Sequence, residues 1–349
     1  MSKIKVAVLG ATGAVGQRFV QLLDGHPWFE VTALTGSDRM VGRTYGDGCR
    51  WVLKEPMPDY ARERLVVETA PGLEAQLVFS ALPAELAKET EPAFAAAGHA
   101  VCTNASTHRM APDVPLLIPE VNPEHTALIE TQQRNRGWSG FIAANPNCTA
   151  TTFTVPLKAL DDAFGLKRAL MVSMQALSGA GYPGVASLDA LDNVIPYIGG
   201  EEGKMESEPL KMLGRLNGGS VTMHTARLSA HANRVAVSDG HTVCVSAEFE
   251  AGPSPEQAAA ALRDFKPPQQ VADLPSAPCQ TIELRPEPDR PQPRRDRDAG
   301  KGLTTVVGRV RPDPLFGIKF VCLSHNTIRG AAGGSVLNAE LLVAQSWIR

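Results

Sequence analysis

The stretch Ala144-Asn145-Pro146-Asn147-Cys148-Thr149-Ala150 holds the most reactive combination of residues in the chain. Pro146 fixes a turn, and the residues after Cys148 read as a helix. A thiol at a helix N-terminus has its thiolate stabilised by the dipole and by unpaired N–H groups. The same N–H groups could hold an oxyanion formed when the thiolate attacks a carbonyl, with Asn147 adding an amide donor. The pattern reads as a nucleophile. The plainer alternative is a small buried cysteine at a helix start.

Far upstream, Gly10-Ala11-Thr12-Gly13-Ala14-Val15-Gly16 follows an apolar strand and opens a helix. Glycines there allow a tight turn, close backbone approach to a pyrophosphate and helix–strand packing, so Gly10 to Val15 read as a dinucleotide loop. Beyond the second strand stands Ser37-Asp38-Arg39. Asp38 suits the ribose hydroxyl of NAD, whereas Ser37 and Arg39 suit the 2′-phosphate of NADP, and spacing alone leaves both open. A thiolate beside a nicotinamide implies addition to an aldehyde, hydride transfer to give a thioester, and release of the acyl group to a second nucleophile. Proton transfer at the thiohemiacetal oxygen calls for an imidazole. Of eight histidines, His241 follows Gly240 at the start of a strand; taken alone, it reads more readily as structural than catalytic. Arg234, seven residues upstream, could grip a carboxylate in the same pocket.

These residues need a frame. Residues 4–9 form an apolar run that fits a strand buried on both faces, followed by the glycine turn, an amphipathic helix to about residue 23 and a second strand. The alternation continues through LVFSAL, AELAKETEPAFAAAG and HAVCTNAS, which predicts a Rossmann-like doubly wound parallel sheet in an α/β protein. After Cys148 a helix (149–165), a strand (166–179) and later alternating strands (232–240, 241–250) predict an α+β domain with a mixed or antiparallel sheet. Residues 284–302, rich in Pro, Arg and Asp, exclude helix and inner strand and read as a solvated loop, or else as an arm to a neighbouring subunit. The segment 329–347 reads as a glycine entry and a helix that packs back on the N-terminal sheet. The predicted domains are 1–147 plus 328–349 for the dinucleotide and 148–327 for catalysis and oligomerisation.

With 34 Lys and Arg against 37 Asp and Glu in 349 residues, the net charge of −3 gives no electrostatic case for nucleic-acid or membrane partners. No apolar run reaches the length of a membrane span, and Met-Ser-Lys-Ile-Lys lacks the pattern of a signal peptide, so a cytoplasmic protein is expected. The six cysteines, Cys49, Cys102, Cys148, Cys244, Cys279 and Cys322, show no CxxC spacing and read as reduced thiols, mostly buried. No metal site is expected.

Taken together, Asn-Pro-Asn-Cys-Thr, GATGAVG, Met-Gln-Ala-Leu-Ser-Gly-Ala-Gly (174–181), Glu208-Pro-Leu-Lys211, and Arg234 followed by Gly240-His241 resemble the aspartate-semialdehyde dehydrogenases over essentially the whole chain. Asn-Ala-Ser-Thr-His-Arg-Met (104–110) and Arg-Pro-Gln-Pro-Arg resemble the archaeal and fungal-type branch. The resemblance implies Cys148 as nucleophile, His241 as acid/base, Gln175 orienting the substrate, Arg234 on its α-carboxylate and Glu208 near its amino group. It implies Arg109 and Lys211 on phosphate, and Thr12 to Val15, Ser37, Arg39, Ser178, Gly179 and Asn326 on NADP. Pro209 stands where the family often has Thr, a residue tolerated in the first turn of a helix.

The implied activity is the NADP-dependent, reversible reductive dephosphorylation of 4-phospho-L-aspartate to L-aspartate 4-semialdehyde by a homodimer or homotetramer. Three alternatives share the scaffold. N-acetyl-γ-glutamyl-phosphate reductases usually carry Asn-Pro-Gly-Cys-Tyr, which Asn147 and Thr149 depart from. A malonyl-CoA-type reductase would use CoA in place of phosphate. A non-catalytic dinucleotide sensor is disfavoured by the intact Cys148, Gln175, Arg234 and His241.

Overall fold

The computed structural model describes residues 2–349. The first unit runs β1 (Ile4–Leu9), α1 (Ala14–Leu22), β2 (Phe29–Thr35), β3 (Val66–Val67), β4 (Leu77–Ser80), α2 (Ala84–Ala96), β5 (Ala100–Thr103), α3 (Leu128–Arg136) and β6 (Phe141–Ala144). Its six strands are parallel in the order β3-β2-β1-β4-β5-β6, with the reversal between β1 and β4 directly beneath the glycine loop. Alternation along β1 explains why the strand reads as apolar throughout. Val6 and Val8 pack with Phe19 and Val20 of α1 in one core, while Ala7 and Leu9 join a second core on the other face.

The second unit runs α4 (Cys148–Phe164), β7 (Leu166–Gln175), α5 (Glu201–Met212), the small hairpin β8 (Arg215–Asn217) and β9 (Ser220–Thr222), β10 (Arg227–Arg234), β11 (His241–Phe249), α6 (Pro255–Asp264), β12 (Ile282–Arg285), β13 (Thr305–Asp313) and β14 (Gly317–Ser324). The six-stranded sheet, ordered β10-β7-β11-β14-β13-β12, is mixed: β10 pairs parallel with β7 and β12 with β13, and the remaining pairs are antiparallel. Helix α4 contributes Phe153, Leu157 and Leu160 to a core shared by Ile142 of the first sheet and Val243 and Val245 of the second.

β10 lies at a sheet edge, and three of its outward N–H groups are engaged. Ala230 and Ala232 donate to Glu206 and Glu202 of α5 at 2.9 and 3.1 Å, and Arg234 donates to the Ile195 carbonyl at 2.8 Å. The final helix α7 (Gly333–Ala344) returns to the first unit, with Val336, Ala339 and Leu342 buried in the core beside Phe29 and Phe79. It enters through a π-type turn at Ile328–Ala332, where Arg329 pairs with Glu120 at 2.7 Å, both fully buried.

Several expectations need correction. β7 ends at Gln175, and residues 177–180 form a 3-10 turn, because Gln175 is the last residue in register with β10. β10 ends at Arg234 rather than running on to Gly240. Residues 284–302 are neither a free loop nor helix-free. Arg285 ends the edge strand β12, Pro293–Asp296 make one helical turn, and buried Asp296 accepts from Arg290 and from the Gln292 N–H, folding the segment onto its own chain. Pro209 lies deep in α5 rather than in its first turn. The cysteines form no disulfide among the described residues; Cys49, Cys102 and Cys322 are buried, but Cys244 and Cys279 are exposed.

Candidate active site

Asn147 caps α4. Its Oδ1 accepts from the N–H groups of Thr149 and Ala150, both at 2.9 Å, the arrangement for which Asn is favoured at this position. Two of the N–H groups expected to face an oxyanion are therefore taken, leaving the Cys148 N–H as the first-turn donor the cap does not use. Cys148, the first helical residue, is half-buried with Sγ 3.2 Å from His241 Nε2. His241 opens β11, and its Nδ1 accepts from the Ala176 N–H at 3.0 Å. That bond assigns the proton of the neutral ring to Nε2, facing the sulfur.

Burial, Arg234 and His325 lower His241 to about 3, so the ring is neutral. Burial and the Glu201 carboxylate push the Cys148 thiol up to about 12, while Arg109 and the Thr149 groups pull it down. Burial thus opposes the dipole at the helix start and favours a neutral thiol beside a neutral imidazole. Two glycines make this closeness possible. A Cβ at Gly330 would fall 2.5 Å from Cys148 Cβ, and one at Gly179 would fall 2.9 Å from an Arg234 guanidinium nitrogen and 3.1 Å from His241 Cε1.

Parallel pairing of β7 with β10 sets Gln175 opposite Arg234. Gln175 Nε2 lies 3.3 Å from Ser173 Oγ and 3.4 Å from Glu201 Oε2. Arg234 donates to the Ala176 carbonyl at 2.7 Å; burial lowers its pKa, and Cys148 and Glu201 draw it back up. Glu208 has both oxygens engaged, Oε1 by Arg109 at 3.0 Å and Oε2 by the Asn147 N–H at 2.6 Å. Arg109 also donates to the Asn104 carbonyl at 2.7 Å, and its buried Nε has no partner among the described residues, a donor suited to an anion.

Lys211 departs from expectation. Its Nζ donates to the carbonyls of Arg109, Ala111 and Val114, each at 2.7 Å, so all three of its N–H donors are used. It staples the Arg109 loop to α5 and has no donor left for a phosphate. Glu201 is a site residue that the sequence reading missed. Nothing in its position separates it from an ordinary first-turn acid. Yet its carboxylate accepts from Asn147 Nδ2 at 2.8 Å and from Lys204 at 3.0 Å.

The glycine loop fits a dinucleotide. Gly10 has φ +69°, and a Cβ at Gly16 would fall 2.2 Å from the Gly10 carbonyl, so helix and strand touch. A Cβ on exposed Gly13 would meet only the Gly10 carbonyl, at 3.5 Å, and no side chain caps α1, which leaves the Ala14 and Val15 N–H groups facing the mouth of the loop. Gln17 Nε2 and the Tyr45 hydroxyl pin the loop by donating to the Thr12 and Ala11 carbonyls at 2.9 and 2.8 Å. Asn326 ties Ser178 to Gly240, donating to the Ser178 hydroxyl and accepting from the Gly240 N–H, both at 2.8 Å. A cleft of about 760 Å³ runs from Ala14 past Ser178 to His325, with Arg18, Arg297 and Lys301 on its walls, cations not singled out from sequence. Ser37 and Arg39 lie exposed beyond β2 and outside this cleft.

Residues 5–129 match the family model described as semialdehyde dehydrogenase, NAD binding domain, and residues 157–329 match semialdehyde dehydrogenase, dimerisation domain. Fold and site thus define a two-domain semialdehyde dehydrogenase. The chain is 53% identical over 347 residues to the aspartate-semialdehyde dehydrogenase of Archaeoglobus fulgidus, covering 99% of this chain and 100% of the relative. It is 45% identical over 360 residues to that of Cryptococcus neoformans, covering 99% of each. The crystal structure of the Candida albicans enzyme with NADP aligns at a TM-score of 0.91 and 42% identity, over 99% of this chain and 100% of that one. The chain belongs to the aspartate-semialdehyde dehydrogenase family.

Proposed function

We propose that the chain catalyses the reversible, NADP-dependent reductive dephosphorylation of 4-phospho-L-aspartate to L-aspartate 4-semialdehyde. The observation that carries this reading is the Cys148–His241 pair at 3.2 Å, flanked by Gln175 and Arg234. Cys148 Sγ attacks the acyl carbon, a C–S bond forms as the C–O bond to phosphate breaks, the thiol proton leaves with the phosphate, and a thioester results. Arg234 holds the α-carboxylate, and the unpaired Nε of Arg109 receives the phosphate. The bound dinucleotide supplies the hydride in this direction and accepts it in the other. Gly13, Ala14 and Val15 hold its pyrophosphate, and Ser178, Gly179 and Asn326 its nicotinamide end. His241 Nε2–H hydrogen-bonds the substrate oxygen as negative charge develops on it in the thiohemiacetal; the carbonyl re-forms as the C–S bond breaks to free the aldehyde, and the departing sulfur takes up a proton from solvent.

Ser37 and Arg39 are assigned to the 2′-phosphate. Arg39→Ala should raise the apparent KM for NADP by about 10- to 150-fold and leave that for NAD unchanged; equal effects would remove the assignment. We further assign residues 1–147 with 328–349 to the dinucleotide and 148–327 to catalysis and assembly. The protein is assigned to the cytoplasm as a homodimer or homotetramer. The deciding assay is NADPH oxidation by purified protein. Consumption with 4-phospho-L-aspartate supports the reading, and consumption only with malonyl-CoA would replace phosphate by CoA as the acyl carrier.

A further inference from the structure

Residues 290–297 carry the Arg-Pro-Gln-Pro-Arg stretch, and the reaction above leaves them without a role. Their place in the fold supplies one. Asp296 is buried at the centre of the segment. Its carboxylate accepts from Arg290 Nε at 2.7 Å and from the Gln292 N–H at 2.6 Å, which locks the single helical turn Pro293–Asp296. From the end of that turn, Arg297 Nη1 donates to Ser238 Oγ and to the Asp239 carbonyl, both at 3.1 Å. Pro293 and Arg297 also form the floor beneath Gly240. A Cβ there would fall 3.2 Å from the Cβ of each, and its φ of +101° suits glycine.

The chain held in this way, residues 237–240, joins β10 to β11 and has no helix or strand of its own. Yet several parts of the site meet on it. The Val237 carbonyl accepts from the Leu177 N–H at 2.7 Å, and the Ser238 carbonyl accepts from the Ser178 N–H at 3.1 Å. The Gly240 N–H donates to Asn326 Oδ1 at 2.8 Å, and His241 follows directly as the first residue of β11. Ser178, Asn326 and His241 therefore depend on one irregular turn.

We propose that Arg297 is a positioning residue for hydride transfer: anchored on the Asp296-locked turn, it fixes residues 237–240 so that His241 and the nicotinamide end of the cofactor keep their places relative to Cys148. The inference rests on the functional reading above and adds a residue to it. Both hydrogens of Nη1 are spent on the turn. One nitrogen clamps a hydroxyl and a carbonyl on adjacent residues, so rotation between Ser238 and Asp239 would break a bond. Small displacements matter here, because a shift of about 1 Å between reacting groups can cost about 10²-fold in rate.

The test is Arg297→Met, which keeps most of the stem and removes both bonds. At saturating NADP, kcat for L-aspartate 4-semialdehyde should fall by about 10²-fold. The KM for phosphate and the Kd of NADPH, read by fluorescence titration, should stay close to wild type. Amide hydrogen exchange at Ser178 and Gly240 should quicken, since their acceptors lie on or against the loosened turn. Ser238→Ala removes one of the two bonds and should give a smaller loss of the same kind; it also serves if Arg297→Met does not fold. Combined with Arg297→Met, it should add nothing further, because both changes cut the same contact. An unchanged kcat in either variant, unchanged exchange at both amides, or losses that multiply in the double variant would each overturn the inference. A loss confined to the Kd of NADPH would also overturn it, and would make Arg297 a ligand of the cofactor instead. A wild-type enzyme inactive on L-aspartate 4-semialdehyde would overturn the functional reading and this inference with it.

Discussion

At the scale of single residues, the Ala176 N–H has a consequence for catalysis. It holds His241 Nδ1 as an acceptor, so the ring begins each cycle as a donor at Nε2. An imidazolium would put a second N–H against that of Ala176. The resting enzyme should therefore show a pyridine-like Nδ1 and a pyrrole-like Nε2 in ¹⁵N NMR at neutral pH. Two pyrrole-like nitrogens would instead reveal a thiolate–imidazolium pair. Cys148→Ser should abolish turnover while cofactor binding survives, because a hydroxyl is barely ionised where a thiol can be. Gly179→Ala should lower kcat sharply, since the new Cβ would lie about 3 Å from both Arg234 and His241. Normal turnover in that variant would show that the turn can move aside. The sequence discloses Cys148 through its turn and helix start. It discloses His241 only through the family pattern, because no local signal says that a strand-initial histidine faces a thiol 93 residues away. Glu201 stays hidden because its partners, Asn147 and Gln175, come from other segments.

At the scale of elements, α5 does three jobs along one helix. Its first turn supplies Glu201, its outer carboxylates satisfy β10, and Lys211 near its end gathers three carbonyls of the 109–114 segment. Lys211→Met should leave those carbonyls without donors and loosen the Arg109 loop. The KM for phosphate should rise tenfold or more, whereas the alkylation rate of Cys148 by iodoacetamide stays close to wild type. A large change in alkylation with an unchanged phosphate KM would contradict the staple. The patterning of β1, β2, β4 and β5 made the first sheet legible, because strands buried on both faces leave long apolar runs. The Met-Glu-Ser-Glu stretch of α5 was less legible. Three polar residues in four suggest a solvated face, yet the stretch buries Met205 and Glu208 and spends Glu206 on a backbone N–H. Residues 284–302 misled for a related reason: composition reports solubility, but Asp296 is buried among arginines that satisfy it.

At the scale of the whole molecule, two neutral histidines tie stability to pH. Burial is the main cause in each, bringing His241 to about 3 and His325 to about 4, from 6.5. Below pH 6.5 the unfolded chain takes up protons that the folded one refuses, so stability falls as pH drops from 6.5 towards 4. The slope is about 1.4 kcal/mol per pH unit for each such histidine. Urea midpoints measured across this window should decline with acidification, and His325→Asn should flatten the slope by about one proton. An identical slope in the variant would mean that His325 titrates normally in the fold.

The engaged N–H groups of β10 bear on how the protein behaves in crowded solution. An edge strand with free N–H groups is a template on which a second chain can add its own strand, and repeated addition builds fibres. Here Ala230, Ala232 and Arg234 offer no vacancy, since two carboxylates and a carbonyl already occupy them. An incoming strand would have to expel acceptors from its own docking line and face the negative charge of Glu202 and Glu206. Growth by strand addition along residues 230–234 is thus blocked while α5 and the Ile195 carbonyl stay in place.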